Sequence, residues 1–104
     1  MASTVIGQGI TVDGEIVASE PLVVQGLVKG VVRLEDTVHI EAEGQVEAEV
    51  HGVDVVIAGT LTGQVTARTR VEIKRGGKML GDVKTPRLLI ADGALFRGQI
   101  EMDI

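Results

Sequence analysis

"LTGQVTARTRVEIKRGGKMLGDV", from Leu61 to Val83, carries one five-residue pattern twice. In "LTGQV" and "MLGDV" a large apolar residue stands two before a glycine, and a valine stands two after it. The two glycines, Gly63 and Gly81, lie 18 positions apart. That spacing is too long for a helical or strand period and belongs to an internal repeat.

The same pattern continues in both directions. Upstream it reads "VDGEI", "VKGVV" and "VEAEV", and downstream "FRGQI". The small residues are Gly14, Gly30, Ala48, Gly63, Gly81 and Gly98, with spacings of 16, 18, 15, 18 and 17. Two positions before them stand Val12, Val28, Val46, Leu61, Met79 and Phe96, and two after them Ile16, Val32, Val50, Val65, Val83 and Ile100. Eight before them stand Ile6, Leu22, Ile40, Val55, Ile73 and Ile90. Every one of these positions is large and apolar, whereas the residues between them, such as Glu15, Glu49, Gln64, Asp82 and Gln99, are mostly polar. Alternation with period two predicts strands with one face buried and the other wet.

A meander of hairpins would place Asp-Gly turns between its strands. Here Asp13-Gly14 and Asp92-Gly93 fall inside the repeat and are assigned to its small-residue positions. A repeat of about 17 residues, with three short strands and three corners, predicts one coil of a parallel β-helix, whose stacked coils share a continuous core. Six coils at about 4.8 Å each give a rod roughly 29 Å long. Left-handed β-helices of the acyltransferase kind hold a strict six-residue beat, and spacings of 15 to 18 break it. The expected fold is therefore all-β, a single right-handed parallel β-helix of about six coils with uncapped ends. A short tail, residues 1–4, precedes a polymerisation domain at 5–104.

Composition agrees and excludes several classes. The 104 residues suit one domain, and Val, Ile and 14 glycines favour strands and tight turns over helices. A net charge of −5 and a single aromatic residue, Phe96, argue against nucleic-acid binding, which uses basic grooves and stacking platforms. With no cysteine there is no disulfide framework, Cys-based zinc site or thiol nucleophile. No apolar run approaches the roughly 18–20 residues of a membrane span, and no signal peptide opens the chain. Charge is uneven along the chain. Residues 1–52 hold two basic side chains against nine acidic, and residues 53–104 hold eight against six.

Terminal repeats of a solenoid expose core unless something covers them. Phe96 occupies the inward position of the sixth coil, with a stacked neighbour on one side only. Unpaired strand edges are templates for another chain. The candidate assembly surfaces are therefore Leu95, Phe96, Ile100 and Met102 at the C-terminal end, and Val5, Ile6, Ile10 and Val12 at the N-terminal end. Contact between such ends generates an open polymer.

The chain also resembles the bactofilins, bacterial cytoskeletal proteins, over residues 4–104. The resemblance is strongest in "RVEIKRGGKMLGDVKTPRLLIADGALFRGQIEM" (Arg70 to Met102), with a second match at "VIGQGITVDGEI" (Val5 to Ile16). It implies a right-handed β-helix of triangular section that polymerises without nucleotide into filaments, with like ends meeting. Such filaments, with lateral bundles or sheets, scaffold cell shape, polarity or wall remodelling. The resemblance also implies a cytoplasmic location at the inner face of the membrane, and clients in the wall or polarity machinery. Within "GALFRG", Phe96 matches an aromatic position of the family's C-terminal assembly contact. The family's membrane-attaching N-terminal tail corresponds here only to Met1–Thr4.

Rival readings rest on fewer residues. A hexapeptide-like acyltransferase would need His39 or His51 as base, and both fall at outward strand positions. The acids Glu35, Asp36, Glu41, Glu43, Glu47 and Glu49 are more simply a wet face than a hydrolytic pair or a Ca²⁺ loop. "RGGKML" (Arg75 to Leu80) fails as a phosphate loop, because Glu72 replaces the first glycine and Met79 the hydroxyl residue. The basic group Arg68, Arg70, Lys74, Arg75 and Lys78 reads as a solvated face able to meet an anionic surface. No catalytic residue, cofactor or metal is expected. A monomeric β-helix that docks a partner on its side is the remaining alternative.

Overall fold

In the computed structural model, which describes residues 4–101, the chain forms ten strands, with no helix among the described residues. They are β1 (Thr4–Ile6), β2 (Thr11–Ala18), β3 (Leu22–Val24), β4 (Leu27–Leu34), β5 (Val38–Ile40), β6 (Gln45–Ile57), β7 (Thr60–Ile73), β8 (Lys78–Lys84), β9 (Leu88–Ile90) and β10 (Leu95–Glu101). Every pairing is parallel, and each residue pairs with the one a full coil away, so that even the consecutive long strands β6 and β7 stack in parallel. The chain is thus a β-solenoid of six coils, 31 Å in its longest dimension and 25 × 24 Å across.

Three faces stack in register. A short-strand face is built by β1, β3, β5, the ends of β6 and β7, and β9. The long strands β2, β4, β6, β7, β8 and β10 form the other two faces, bending at the small residue between them. Along the leading face Val12, Val28, Val46, Leu61, Met79 and Phe96 form one column, and along the trailing face Ile16, Val32, Val50, Val65, Val83 and Ile100 form another. Both columns match the sequence register, and their central members are buried. Removing a central rung should leave a cavity that the coils above and below cannot close. Leu61→Ala is expected to cost about 2–5 kcal/mol in denaturant unfolding.

The third column differs from the expected one. On the short-strand face Leu22, Val38, Val55, Val71 and Leu88 stack together, and Ile6, Val24, Ile40, Ile57, Ile73 and Ile90 form a separate inward column. Leu22 and Val55, counted with Ile6 and Ile40 by their distance from the small residue, belong to the neighbouring column. Corner length is the cause. Four residues follow β1, β5, β9 and the Ile73 end of β7, whereas only Gln25-Gly26 and Ala58-Gly59 follow β3 and β6. The same variability displaces Asp92-Gly93. It is a corner turn, with Gly93 at φ 88°, and not a small-residue position like Gly14.

The bend itself has a steric cause. Gly14, Gly30, Gly63, Gly81 and Gly98 all hold φ between 118° and 138°, a region closed to residues with a side chain. Their coils also approach closely, since a Cβ on Gly81 would lie 1.9 Å from the Gly63 carbonyl oxygen. Ala48 is the exception. It avoids positive φ, and its methyl is buried in the core.

Polar groups inside are few. Thr85, 1% exposed, closes the corner before β9 by donating from Oγ1 to the Arg87 carbonyl at 2.8 Å and accepting the Arg87 N–H at 3.3 Å. Thr85→Val keeps the shape but strands the Arg87 N–H, while the Arg87 carbonyl still accepts from the Val71 N–H at 2.9 Å, so a loss of about 1–3 kcal/mol is expected in thermal or urea unfolding.

Candidate assembly ends of the solenoid

Stacking gives each inner coil a hydrogen-bonded neighbour on both sides, and the end coils have one on a single side. β10 pairs only with β8 and β9 only with β7, while β1 pairs only with β3 and β2 only with β4, among the described residues. Each end therefore presents three faces of strand edge with free N–H and C=O groups, in a parallel geometry that another coil could continue.

The apolar columns end in the same places. Phe96 stacks on Met79 in register and packs partly buried against the core. Met79 beneath it is fully buried. Ile100, the last member of the trailing column, is 43% exposed, and Ile90, the last inward residue of the short-strand face, is 48% exposed. Val83 and Ile73, one coil below them, are enclosed. Three inward columns thus finish as Phe96, Ile100 and Ile90 on one terminal surface.

Leu95 and Leu89 border that surface in outward columns and are 45% and 48% exposed. Leu95 continues the outward column of Gln45, Thr60 and Lys78, so it lies on the rim rather than in the plug. Ile90 and Leu89 were not among the expected interface residues. Both repeat position and short-strand parity mark them, once it is clear that the face ends at β9. Met102 lies outside the described residues.

At the other end Val12 and Ile16 pack half-buried against the core as the first members of their columns. Val5 and Ile10 are exposed, Val5 on the outward side of β1 and Ile10 in the corner before β2. Ile6 is only 5% exposed and belongs to the core. Little of its side chain is exposed, and the apolar side chains open at this end are Val12, Ile16, Val5 and Ile10.

The remaining candidate groups lie on the sides of the rod. His39 is in the outward column of Val23 and Val56, and His51 in that of Arg33 and Thr66. No side-chain hydrogen bond orients either imidazole among the described residues. His51 borders a groove with Ser19, Arg33, Glu35 and Arg68, and no hydrogen bond joins it to Ser19 or Glu35 among the described residues. Glu47 and Glu49 are exposed between the buried Val46 and Val50, and Glu47 meets Lys29 of the preceding coil at 3.8 Å. Arg70 and Lys74 flank Glu72 at 3.9 and 3.3 Å. Gly76-Gly77 turns a corner, with Gly76 at φ 82°. No group of three or more His, Cys, Asp or Glu side chains converges as metal ligands would, among the described residues.

Comparison with known proteins places these features in a family. Residues 4–101 match the family described as "Bactofilin: Polymer-forming cytoskeletal". Among curated proteins the chain is similar to three bactofilins of Myxococcus xanthus (strain DK1622). It is 48% identical to Bactofilin BacO over 104 residues, covering all of this chain and 82% of that protein. It is 39% identical to Bactofilin BacN over 100 residues, covering 96% of this chain and 88% of that protein. To Bactofilin BacP the identity is 38% over 100 residues, which is 96% of this chain and 42% of BacP. No solved structure matches the chain.

Proposed function

The chain belongs to the bactofilin family of polymer-forming cytoskeletal proteins, and on that premise we propose that its subunits join end to end into nucleotide-independent filaments. The observation that carries this reading is the pair of terminal surfaces. Each combines unpaired parallel strand edges with inward apolar side chains that have lost their next rung. A second copy supplies both missing partners at once, because its own terminal coil has the same face plan. Burial of side chains such as Phe96, Ile100 and Ile90 contributes about 1.5–3 kcal/mol each when complete. Backbone hydrogen bonds between the edges then set the register.

The filament is a scaffold, not a catalyst, in this reading. It works in the cytoplasm or at the inner membrane face, organising cell shape, polarity or wall remodelling through client proteins. Nucleotide has no role, since Gly76-Gly77 serves as a corner and "RGGKML" lacks the first glycine and the hydroxyl of a phosphate loop.

Two tests follow. Pelleting of purified protein at micromolar concentration is expected to be the same with ATP, with GTP and with neither, and a strict nucleotide requirement would refute nucleotide independence. Val12→Asp is expected to block growth at the N-terminal end, because it places a carboxylate in the apolar column where the next rung must sit. Growth of Val12→Asp filaments to the length of unmodified ones would remove Val12 from the contact.

A further inference from the structure

The short-strand face carries one outward side chain per coil: Val5, Val23, His39, Val56, Glu72 and Leu89, from coil 1 to coil 6. Four of the six are apolar, an unusual choice for the wet side of a surface strand. The corners flanking this face are charged in a graded way. On the side entering each short strand stand Glu20 at coil 2, Glu35 and Asp36 at coil 3, Arg68 and Arg70 at coil 5, and Arg87 at coil 6. On the side leaving it stand Glu41 and Glu43 at coil 3, Lys74 and Arg75 at coil 5, and Asp92 at coil 6. Coil 4 lies between them, with Asp54 before Val56 and the uncharged Ala58-Gly59 after it.

Between coils 3 and 5 these three columns are antisymmetric about coil 4, and Asp92 of coil 6 falls opposite the uncharged Gln25-Gly26 of coil 2. We propose that the short-strand face is a two-fold contact for a second copy of this chain, laid antiparallel so that coil 3 of one rod faces coil 5 of the other. A two-fold axis in the interface, perpendicular to the rods, brings each corner against the same corner of the partner with its coil order reversed. Val56 then meets Val56, Val23 meets Leu89, and His39 meets Glu72. Glu41 and Glu43 meet Lys74 and Arg75, Glu35 and Asp36 meet Arg68 and Arg70, and Glu20 meets Arg87. Only Asp54 meets its like, and one of its carboxylate oxygens is enclosed by the protein.

Parallel packing would instead set His39 against His39 and Glu72 against Glu72. It would also bring Glu41 and Glu43 against Glu35 and Asp36, and Arg68 and Arg70 against Lys74 and Arg75, with like charges together at both coil 3 and coil 5. A shallow hollow of about 480 Å³ marks the centre, lined by His39, Glu41, Val56, Arg70, Glu72 and Lys74. It spans coils 3 to 5, the stretch that the two-fold axis superposes. The face is narrow, so one rod pair falls below the roughly 1,200 Å² of a stable interface, and the contact gains strength by repetition along a polymer. It is distinct from the end-to-end contact, because the only side chains of the last coil that take part are Leu89 at the rim and Arg87 in the corner before it.

The chain has no cysteine of its own, which permits a direct test by thiol crosslinking. Facing sheets lie about 10 Å apart, within reach of a short bifunctional thiol reagent. Val56→Cys alone is expected to crosslink to its own kind, since coil 4 faces itself. Val23→Cys alone is not, because its two copies are four coils, about 19 Å, apart along the rods. A mixture of Val23→Cys and Leu89→Cys should crosslink. Two charge reversals sharpen the test, each made in the Val56→Cys protein with folding checked by circular dichroism. E41K/E43K and K74E/R75E should each abolish the product alone, and an equimolar mixture should restore it. Strong self-crosslinking of Val23→Cys would establish parallel packing and overturn the proposal. Absence of product from Val56→Cys at filament-forming concentration would overturn it too, leaving the face to a different partner. Filament length by electron microscopy reports the end contact separately in every sample.

Discussion

Phe96→Arg is expected to leave the solenoid folded and to stop growth at the C-terminal end. The side chain sits on the last rung, stacked on Met79 but open on its other side. In the isolated subunit a guanidinium there can reach past the rim into water, as long cationic side chains do, so the cost to folding is small. In the joined state the same charge is enclosed between two apolar ends with no carboxylate in its column. Leaving a buried charge unpaired costs about 3–5 kcal/mol, enough to lower end-to-end affinity by roughly two to four orders of magnitude. Circular dichroism should match the unmodified protein, and pelleting should fall to background. The residual species is itself informative. Dimers joined at the N-terminal surfaces would show that like ends meet, whereas monomers alone would show head-to-tail joining. Long filaments from a folded Phe96→Arg protein would exclude Phe96 from the contact.

The second large effect falls on the fold. Gly81→Val is expected to destabilise the protein by about 2–6 kcal/mol, from strain at a Gly-only backbone angle and from overpacking against the coil below. Gly81 holds φ 130°, and an added Cβ would lie 1.9 Å from the Gly63 carbonyl oxygen and 2.9 Å from its carbon. Backbone cannot swing aside as a side chain would. Gly14→Val is the matched control. Gly14 holds φ 136°, but nothing lies within 4 Å of its added Cβ, so only the strain of about 1–3 kcal/mol applies. Ala48 indicates how a coil can do without glycine, by taking an ordinary φ and burying its methyl in the core. A β-branched residue at Gly81 is too large to take that route in a packed core. Urea midpoints of the two variants should therefore differ clearly. Equal midpoints would mean that the coils separate more easily than their spacing implies.

Much of this architecture is legible in the chain because stacking repeats one local rule. Apolar residues two before and two after the small residue must face inward in every coil, and Val12 through Phe96 and Ile16 through Ile100 do so in register. The short-strand face was less legible, since its phase is set by corners whose length the apolar pattern does not record. Two-residue corners at Gln25-Gly26 and Ala58-Gly59 shift Leu22 and Val55 by one inward position. A single register counted back from the small residue averages over that shift.

The end surfaces were legible as places more than as residue sets. Phe96, Ile100 and Val12 follow from being the first or last members of a column. Ile6 satisfies the same rule yet is enclosed, while Ile90 and Leu89 satisfy it at the other end and are open. Exposure at a terminal coil depends on how the corners fold over it, and strand alternation carries no information about that. The graded charge beside the short-strand face was visible in the sequence as an acidic group from Glu35 to Glu49 and a basic group from Arg68 to Lys78, without the faces they share. Three-dimensional stacking converts those groups into rows, with the acids of coil 3 and the bases of coil 5 on the same two edges.

The most direct test of end-to-end assembly is negative-stain electron microscopy of the purified protein at micromolar concentration with no nucleotide present. Unbranched filaments about 25 Å wide, or paired filaments about twice that width, are expected from the 25 × 24 Å cross-section of the rod. A field of discrete particles near 31 Å long, unchanged as concentration rises, would contradict it.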